Sequence, residues 1–375
     1  MKLSLKIKLH TDTDQKEALL KTMLAYNSAC NFVSEFAFKQ KVFNNFSLHT
    51  ALYQKIRADY KLPAQLAVSV FSKVADAYKP ELTKAAKEQR ELAVCQFREH
   101  SAVVYDTRIL SYGKDNNVSI KTLEKRLKLP ASLYKEERIP YFQGEADLLF
   151  VEGVFYLSQT LSLPNAPKAA IEDYLGVDLG IVQIATDSDG ESFSGEALKV
   201  KREQYQKHQR HLQKCHTKNS RRRHRKVGKR ESRFRKDVNH CISKHLVEKA
   251  KRTSQGIALE DLEQFFDKTR VRRQNRNERG SWSFRQLRDF ISYKATLEGI
   301  PVVFVSPAHT SRRCFQCGHI DKANRKSQSE FVCVACGHTD NADNNAAKNI
   351  RHWAAVNQPI AVKDSASPQA LAGGS

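Results

Sequence analysis

Residues 2–9 (KLSLKIKL) alternate polar and apolar, the pattern of a half-buried strand. The stretch His10-Thr-Asp-Thr-Asp-Gln-Lys-Glu17 supplies short polar side chains for a helix N-cap, with Glu17 in reach of a capping box. The spacing predicts a helical block over 11–94, in which Leu66, Val70, Val74 and Tyr78 recur every fourth residue after Pro63 as a core-facing stripe. From about 95 to 163 the period drops to two. Ala102-Val-Val-Tyr105, Val118-Ser-Ile120 and the run Leu148 to Leu157 read as strands, the last a hairpin turning at Glu152-Gly153. Residues 1–10 complete this sheet, which makes the helical block an insertion into a β-domain. Leu163-Pro-Asn-Ala-Pro167 reads as a linker.

A second domain begins after it. Tyr174 to Ala185 reads as strand, glycine break, strand, and Asp187-Ser-Asp-Gly190 turns the chain into a third strand. Residues 199–252 contain no proline and one glycine, Gly228, and predict a helical hairpin that breaks there. Gly256-Ile-Ala-Leu259 is a short apolar strand. A helix over 283–298 closes at Gly299, and Val302-Val-Phe-Val305 follows as a buried strand. The Ala-, Ser- and Gly-rich tail 357–375 is expected to be disordered. The fold class is α/β and multidomain.

Charge sharpens this picture. The 375 residues carry a net charge of +22, which points to a polyanionic partner. Residues 201–252 hold 20 Lys and Arg against 4 Asp and Glu, so a net 16 of those charges lie in 52 residues. A charge run is ordinarily a solvated helix face, but this density suits phosphate neutralisation. Arg221, Arg222, Arg223, Arg225, Lys226, Lys229 and Arg230 are its densest part and the candidate nucleic-acid contacts. No apolar run reaches the roughly 18 residues of a membrane span, and the start lacks a signal-peptide core, so no membrane or small-molecule partner is expected and the protein reads as cytoplasmic.

Four of the eight cysteines cluster. Cys314-Phe-Gln-Cys317 and Cys333-Val-Ala-Cys336 are 15 residues apart, the spacing of a Cys₄ zinc ribbon, and each pair is followed by Gly-His. A saturated Cys₄ set leaves no open coordination position, which makes one structural Zn²⁺ the expectation. His319 and His338 are left as surface residues. Three carboxylates stand at the ends of predicted elements: Asp178 between Gly176 and Gly180, Glu260 after Ile257-Ala-Leu259, and Asp343 at the start of a helix. Acids so placed suit Mg²⁺, a hard cation that takes oxygen ligands. An Asp at a helix start is ordinarily an N-cap, and Asp340, Asp343, Glu260 and Asp261 all admit that reading. Spacing leaves both open.

The motifs taken together go further. Gly176-Val-Asp-Leu-Gly180, Ile257-Ala-Leu-Glu-Asp-Leu262, Thr310-Ser-Arg-Arg-Cys-Phe-Gln-Cys-Gly318 and Asp343-Asn-Asn-Ala-Ala-Lys-Asn-Ile350 occur in that order, with the ribbon before the last. Over about 174–353 the chain resembles TnpB, the transposon-encoded RNA-guided DNA endonuclease related to the small type V CRISPR effectors. Leu52 to Arg57 and Leu62 to Gln65 resemble, more loosely, its helical recognition block. The resemblance implies an RNase H-like, RuvC-type nuclease domain over 169–310 and 340–356, a zinc-ribbon insertion over 311–339, and a β-barrel-like domain over 1–10 and 95–168 with the helical recognition domain 11–94 inserted. It implies Asp178, Glu260 and Asp343 as catalytic acids holding two Mg²⁺, a guide RNA from the transposon end, and double-stranded target DNA. In Asp340-Asn-Ala-Asp343, where family members often carry a basic residue between two acids, Asp343 is chosen because it directly precedes the Asn-rich run. Arg312, Arg313, Lys322, Arg325 and Lys326 would let the ribbon contact phosphate. An inactive guided binder, a protein-only nuclease and a zinc-ribbon binding module are the rivals.

Overall fold

The computed structural model describes residues 1–113, 115–133, 136–167, 169, 171–261 and 284–356; the expected disordered tail lies outside them. The chain divides into two units, Met1–Pro164 and Asn165–Ser375.

In the first unit, β1 (Lys2–Leu9), β2 (Val103–Tyr105), β3 (Leu110–Tyr112), β4 (Asn117–Lys121), β5 (Arg126–Ser132), β6 (Phe142–Val151) and β7 (Val154–Ser162) form one seven-stranded antiparallel sheet. Its order is β2-β6-β7-β1-β5-β4-β3. The sheet curls until β3, at one end, reaches β6 and β7 near the other. Tyr112 on β3 sets its ring 4.6 Å from that of Phe142 on β6, and its hydroxyl donates to Gln159 on β7 at 2.8 Å. Residues 152–153 form the two-residue hairpin expected, with φ of 52° at Glu152 and 86° at Gly153, the twist such turns need. Strands β3 and β5 escaped the sequence reading, although β5 alternates strictly between exposed and buried positions.

Three helices, α1 (Thr13–Gln40), α2 (Asn45–Tyr60) and α3 (Ala64–Glu88), separate β1 from β2. The stripe Leu66, Val70, Val74 and Tyr78 is fully buried. The capping box forms between Asp12 and Gln15, not Glu17, because the third helical residue is Gln15; Glu17 pairs with exposed Lys21 instead. The helical block also ends earlier than 94. Gln89 turns left-handed at φ 50°, and residues 95–101 run along α1 without helix, turning at 99–100. Asn27, Asn31 and Ser34 hold them there: Ser34 donates to the Cys95 carbonyl at 2.6 Å, Asn31 brackets the Phe97 backbone, and Asn27 donates to Glu99 and Ser101. Those side-chain bonds replace a helix ladder.

The second unit is built on a five-stranded sheet in the order β10-β9-β8-β11-β12. These strands are β8 (Tyr174–Asp178), β9 (Gln183–Asp187), β10 (Ser192–Ser194), β11 (Gly256–Glu260) and β12 (Val302–Val305). β8, β11 and β12 run parallel, β9 is antiparallel to β8, and β10 is antiparallel to β9. Between β10 and β11 stand α4 (Glu196–Lys214) and α5 (Lys218–Arg252), and before β12 stands α6 (Phe284–Leu297). The hairpin does not break at Gly228. It turns over Cys215–Thr217, where the Thr217 hydroxyl accepts from the Ser220 N–H at 3.1 Å and caps α5. Gly228 lies inside α5, where a Cβ would stand 3.5 Å from Gln209 of α4.

Leu175, Val177, Ile257 and Leu259 point to one face of this sheet, under Ile242, Leu246, Leu287 and Ile291 of α5 and α6. Tyr174, Ala258 and Val305 point to the other, against Ile350 and Ala354 of the final helix α7 (Ala342–Val356). Burial on both faces is why these strands read as continuous apolar runs. Between β12 and α7 lies the ribbon, with the short pair β13 (Glu330–Val332) and β14 (Thr339–Asn341). No described helix is long and apolar enough to cross a membrane.

Candidate active site and metal clip

Leu259 stands opposite Val177 in the parallel β8–β11 pair, so Asp178 and Glu260, one residue on, close neighbouring strands at the same edge. Edges formed by the carboxyl ends of parallel strands are where α/β sheets place their chemistry. Helix α7 brings the third acid. It crosses β8 at Gly176, where a Cβ would meet the Ala347 carbonyl at 2.1 Å and the Arg351 nitrogen at 2.6 Å. Only glycine permits that approach, and it carries Asp343, the second residue of α7, towards the strand ends. Asp343 is not spent on capping. The Asn341 side chain accepts from the N–H groups of Asp343 and Asn344 at 2.9 and 3.3 Å instead.

Electrostatics join the three acids. Burial pushes the Asp178 carboxyl well above the ordinary carboxylate range, and the charges of Glu260 and Asp343 push it further. Burial also raises Glu260, against a hydrogen bond donated by the Thr310 hydroxyl. Asp343 is raised by burial despite the Arg325 guanidinium, which lies 3.3 Å from its Oδ1. A proton or a bound cation relieves neighbouring half-buried carboxylates raised in this way, and their oxygens are donors of the kind Mg²⁺ takes. The residues therefore fit that ion. Asp340 does not join them. Lys348 pairs with it at 2.7 Å and Asn344 donates to it at 2.9 Å; these partners outweigh its burial and hold its carboxyl below the usual range.

The four cysteines converge as their spacing predicts. Among the described residues, Cys314, Cys317, Cys333 and Cys336 form a group whose sulfurs all lie within 4.8 Å of one another. The Cys314–Cys336 and Cys317–Cys333 sulfurs are 3.7 and 3.5 Å apart. A tetrahedron of sulfurs about 2.3 Å from zinc has edges of about 3.8 Å, so the set fits that ion. The two knuckles repeat one geometry. The N–H groups of Gly318 and Gly337 donate to the Cys314 and Cys333 carbonyls at 2.9 Å, and both glycines take positive φ, 77° and 73°. His319 is exposed as expected, whereas His338 is partly buried and faces Asp340 at 3.9 Å. Asn324, unnoticed in the sequence, links the knuckles. It donates to Arg312 and His319 carbonyls and accepts from Val334 N–H at 2.9 Å.

Of the basic ribbon residues, Arg325 turns inward to Asp343, and Arg313 lies over the Trp353 ring at 5.2 Å. Arg221, Arg222, Arg223, Arg225, Lys226, Lys229 and Arg230 are all exposed on α5. Thr310, beside Glu260, is the residue of this region whose place the sequence did not disclose. Its only signal was its place four residues before Cys314.

Two family models match this chain. Residues 156–263 match the "Probable transposase" family, and residues 284–350 match the "Cas12f1-like, TNB domain" family. The chain is 40% identical over 118 residues to the CRISPR-associated endodeoxyribonuclease Cas12f1 of Sulfoacidibacillus thermotolerans, a match covering 31% of this chain and 26% of that one. It is 32% identical over 220 residues to the putative RNA-guided DNA endonuclease InsQ of Escherichia coli (strain K12), covering 53% of each. The matched segments thus span from about a quarter to about half of these relatives' lengths. Among solved structures, the chain is similar to Cas12f1 in its complex with sgRNA and target DNA, with a TM-score of 0.61 and 14% identity over 94% of this chain and 98% of that one. That likeness concerns the fold. The resemblance to TnpB-like proteins and small type V effectors, drawn from four motifs, is borne out by these matches.

Two measurements test the site. Cys317→Ser removes one of four sulfurs and is expected to abolish stoichiometric zinc, measured by mass spectrometry of the purified protein; full zinc content in that variant would contradict the clip. The second concerns pH. Because burial and like charges raise Asp178 above its unfolded value, the group favours folding while protonated and costs stability as pH rises through its folded value. In EDTA at neutral pH, Asp178→Asn should therefore raise Tm, by about 2–4 °C per kcal/mol relieved in a unit of this size. The gain should vanish at acid pH. A lower Tm at neutral pH would show that the acids do not repel one another.

Proposed function

We propose that this protein is an RNA-guided DNA endonuclease of the TnpB kind, with a RuvC-type centre at the ends of β8 and β11. What supports the reading is that Asp178 and Glu260 end neighbouring parallel strands and that the charges of Glu260 and Asp343 both act on Asp178, in a unit that also carries a Cys₄ ribbon. The strand order supports an RNase H-like assignment, with three strands in antiparallel succession followed by two parallel ones on the far side of the first. The names of the relatives support the activity, since InsQ and Cas12f1 are described as DNA endonucleases.

In this mechanism Asp178, Glu260 and Asp343 would hold two Mg²⁺ ions. Such a pair, when bound, lowers the pKa of a water and stabilises the leaving oxygen of a phosphodiester. The chain's own side chains do the rest. Asp178 feels the charges of both other acids, and a bound cation would relieve its raised pKa. Arg325 offsets the negative charge beside Asp343 and can pass from that carboxylate to a phosphate oxygen. The exposed cations of α5 neutralise backbone phosphates without reading sequence, which is left to base pairing with the guide. An inactive guided binder would lack one of the acids, and this chain has all three. A protein-only nuclease has no use for a separate unit of seven strands and three helices.

Expression beside the native flanking DNA, followed by sequencing of copurifying RNA, tests the reading. A discrete RNA with a constant part and a variable end is expected, and adding it should direct Mg²⁺-dependent cleavage to matching DNA. A preparation that cuts DNA with Mg²⁺ and carries no defined RNA would overturn the guided part.

A further inference from the structure

Among the described residues, Glu260 is the acid of the three that accepts from a neutral side chain. Thr310 is buried at 2% exposure, and its hydroxyl donates to Glu260 Oε1; the Pro307 carbonyl at 3.3 Å is the weaker claimant for the same proton. A hydroxyl has one proton, and a charged acceptor at close range takes it. No other hydrogen bond to the Glu260 side chain is made among the described residues, so this bond alone sets the carboxylate's rotation and leaves Oε2 for another partner.

Thr310 is itself held from α7. Asn349, 1% exposed, donates to the Thr310 carbonyl at 3.0 Å and to the Arg313 carbonyl at 2.8 Å. Asn345, one helical turn earlier and fully buried, donates to the Arg313 carbonyl at 2.8 Å and accepts from the Phe315 N–H at 3.0 Å. The two asparagines lie four residues apart on one face of α7 and grip the backbone on both sides of Cys314. The same helix carries Asp343. One rigid element thus supplies one acid directly and fixes another through Thr310, while anchoring the first cysteine knuckle.

We propose that Thr310 is the positioning residue for Glu260, and that the Asn345–Asn349 clamp ties its setting to the root of the zinc ribbon. The claim rests on the nuclease reading above. Partners that orient a metal ligand typically change metal affinity or activity about 10- to 100-fold when removed. A purely structural Thr310 would change folding instead.

The test compares Thr310→Val, which keeps the shape and loses the hydroxyl, with Thr310→Ser, which keeps the hydroxyl. Mn²⁺ binding is followed by electron paramagnetic resonance, and guided cleavage is followed at fixed Mg²⁺, with zinc content, Tm and DNA affinity measured alongside. Thr310→Val should weaken Mn²⁺ binding and slow cleavage by about 10- to 100-fold, with zinc, Tm and DNA affinity held. Thr310→Ser should stay within a few-fold of the wild type. Asn349→Ala, which frees the Thr310 carbonyl and spares the hydroxyl, should fall between them. Wild-type behaviour of Thr310→Val, or equal losses in Val and Ser, would overturn the proposal while leaving the nuclease reading intact. A wild-type protein that neither binds Mn²⁺ nor cuts would overturn both.

Discussion

The second unit depends on one close contact, the crossing of α7 over Gly176. A Cβ at that position would stand 2.1 Å from the Ala347 carbonyl, so any other residue would lift the helix from β8. The helix then could not bring Asp343 to the strand ends or reach the Thr310 and Arg313 carbonyls with Asn349 and Asn345. The contact is reinforced from the rim. Arg351 pairs with Asp173 ahead of β8 and with Asp189 at 3.5 Å beyond β9, so α7 is pinned on both sides of the strand it crosses. Backbone proximity, more than side-chain chemistry, is what assembles the acidic centre.

That assembly has an electrostatic cost which the surroundings offset only in part. Three carboxylates are partly removed from water, two of them act on the third, Asp178, and all three are raised above their ordinary values. Arg325 and Thr310 each relieve one of them. The remaining imbalance is the condition for holding cations, since carboxylates fully satisfied by protein groups have little left to offer an ion. Contrast Lys249 in the same unit, which reaches Asp187 at 2.5 Å, Asp189 at 3.2 Å and Glu191 at 3.3 Å and leaves those acids paired. The pairing makes that cluster a brace between α5 and the β9–β10 turn, while the acids at the ends of β8 and β11 have no such cation among the described ion pairs.

Much of this was legible from the chain because it was written in local periods. The strands at Tyr174 and Gly256 were visible as apolar runs, the ribbon as two Cys-x-x-Cys pairs, and the hairpin at Glu152-Gly153 as turn chemistry. What escaped depended on distant partners. Gly228 looked like a helix break until α4 was found passing it, and residues after Gln89 looked helical until Asn27, Asn31 and Ser34 of α1 claimed their backbone. The sequence left Asp340 and Asp343 open as capping residues, whereas the cap is Asn341 and the two acids face different partners. Thr310 and Arg325 were in plain view and carried no signal of where they point, because a hydroxyl or guanidinium shows its role only beside the group it meets.

The central claim is that three acids act as one centre, and guided cleavage by single variants tests it most directly. Asp178→Ala, Glu260→Ala and Asp343→Ala would each be loaded with the copurified RNA and given matching DNA and Mg²⁺, with binding measured in parallel. The account predicts that each variant binds RNA and DNA as the wild type does and that none cuts. Cleavage retained by any one of them would remove that residue from the centre and contradict the account.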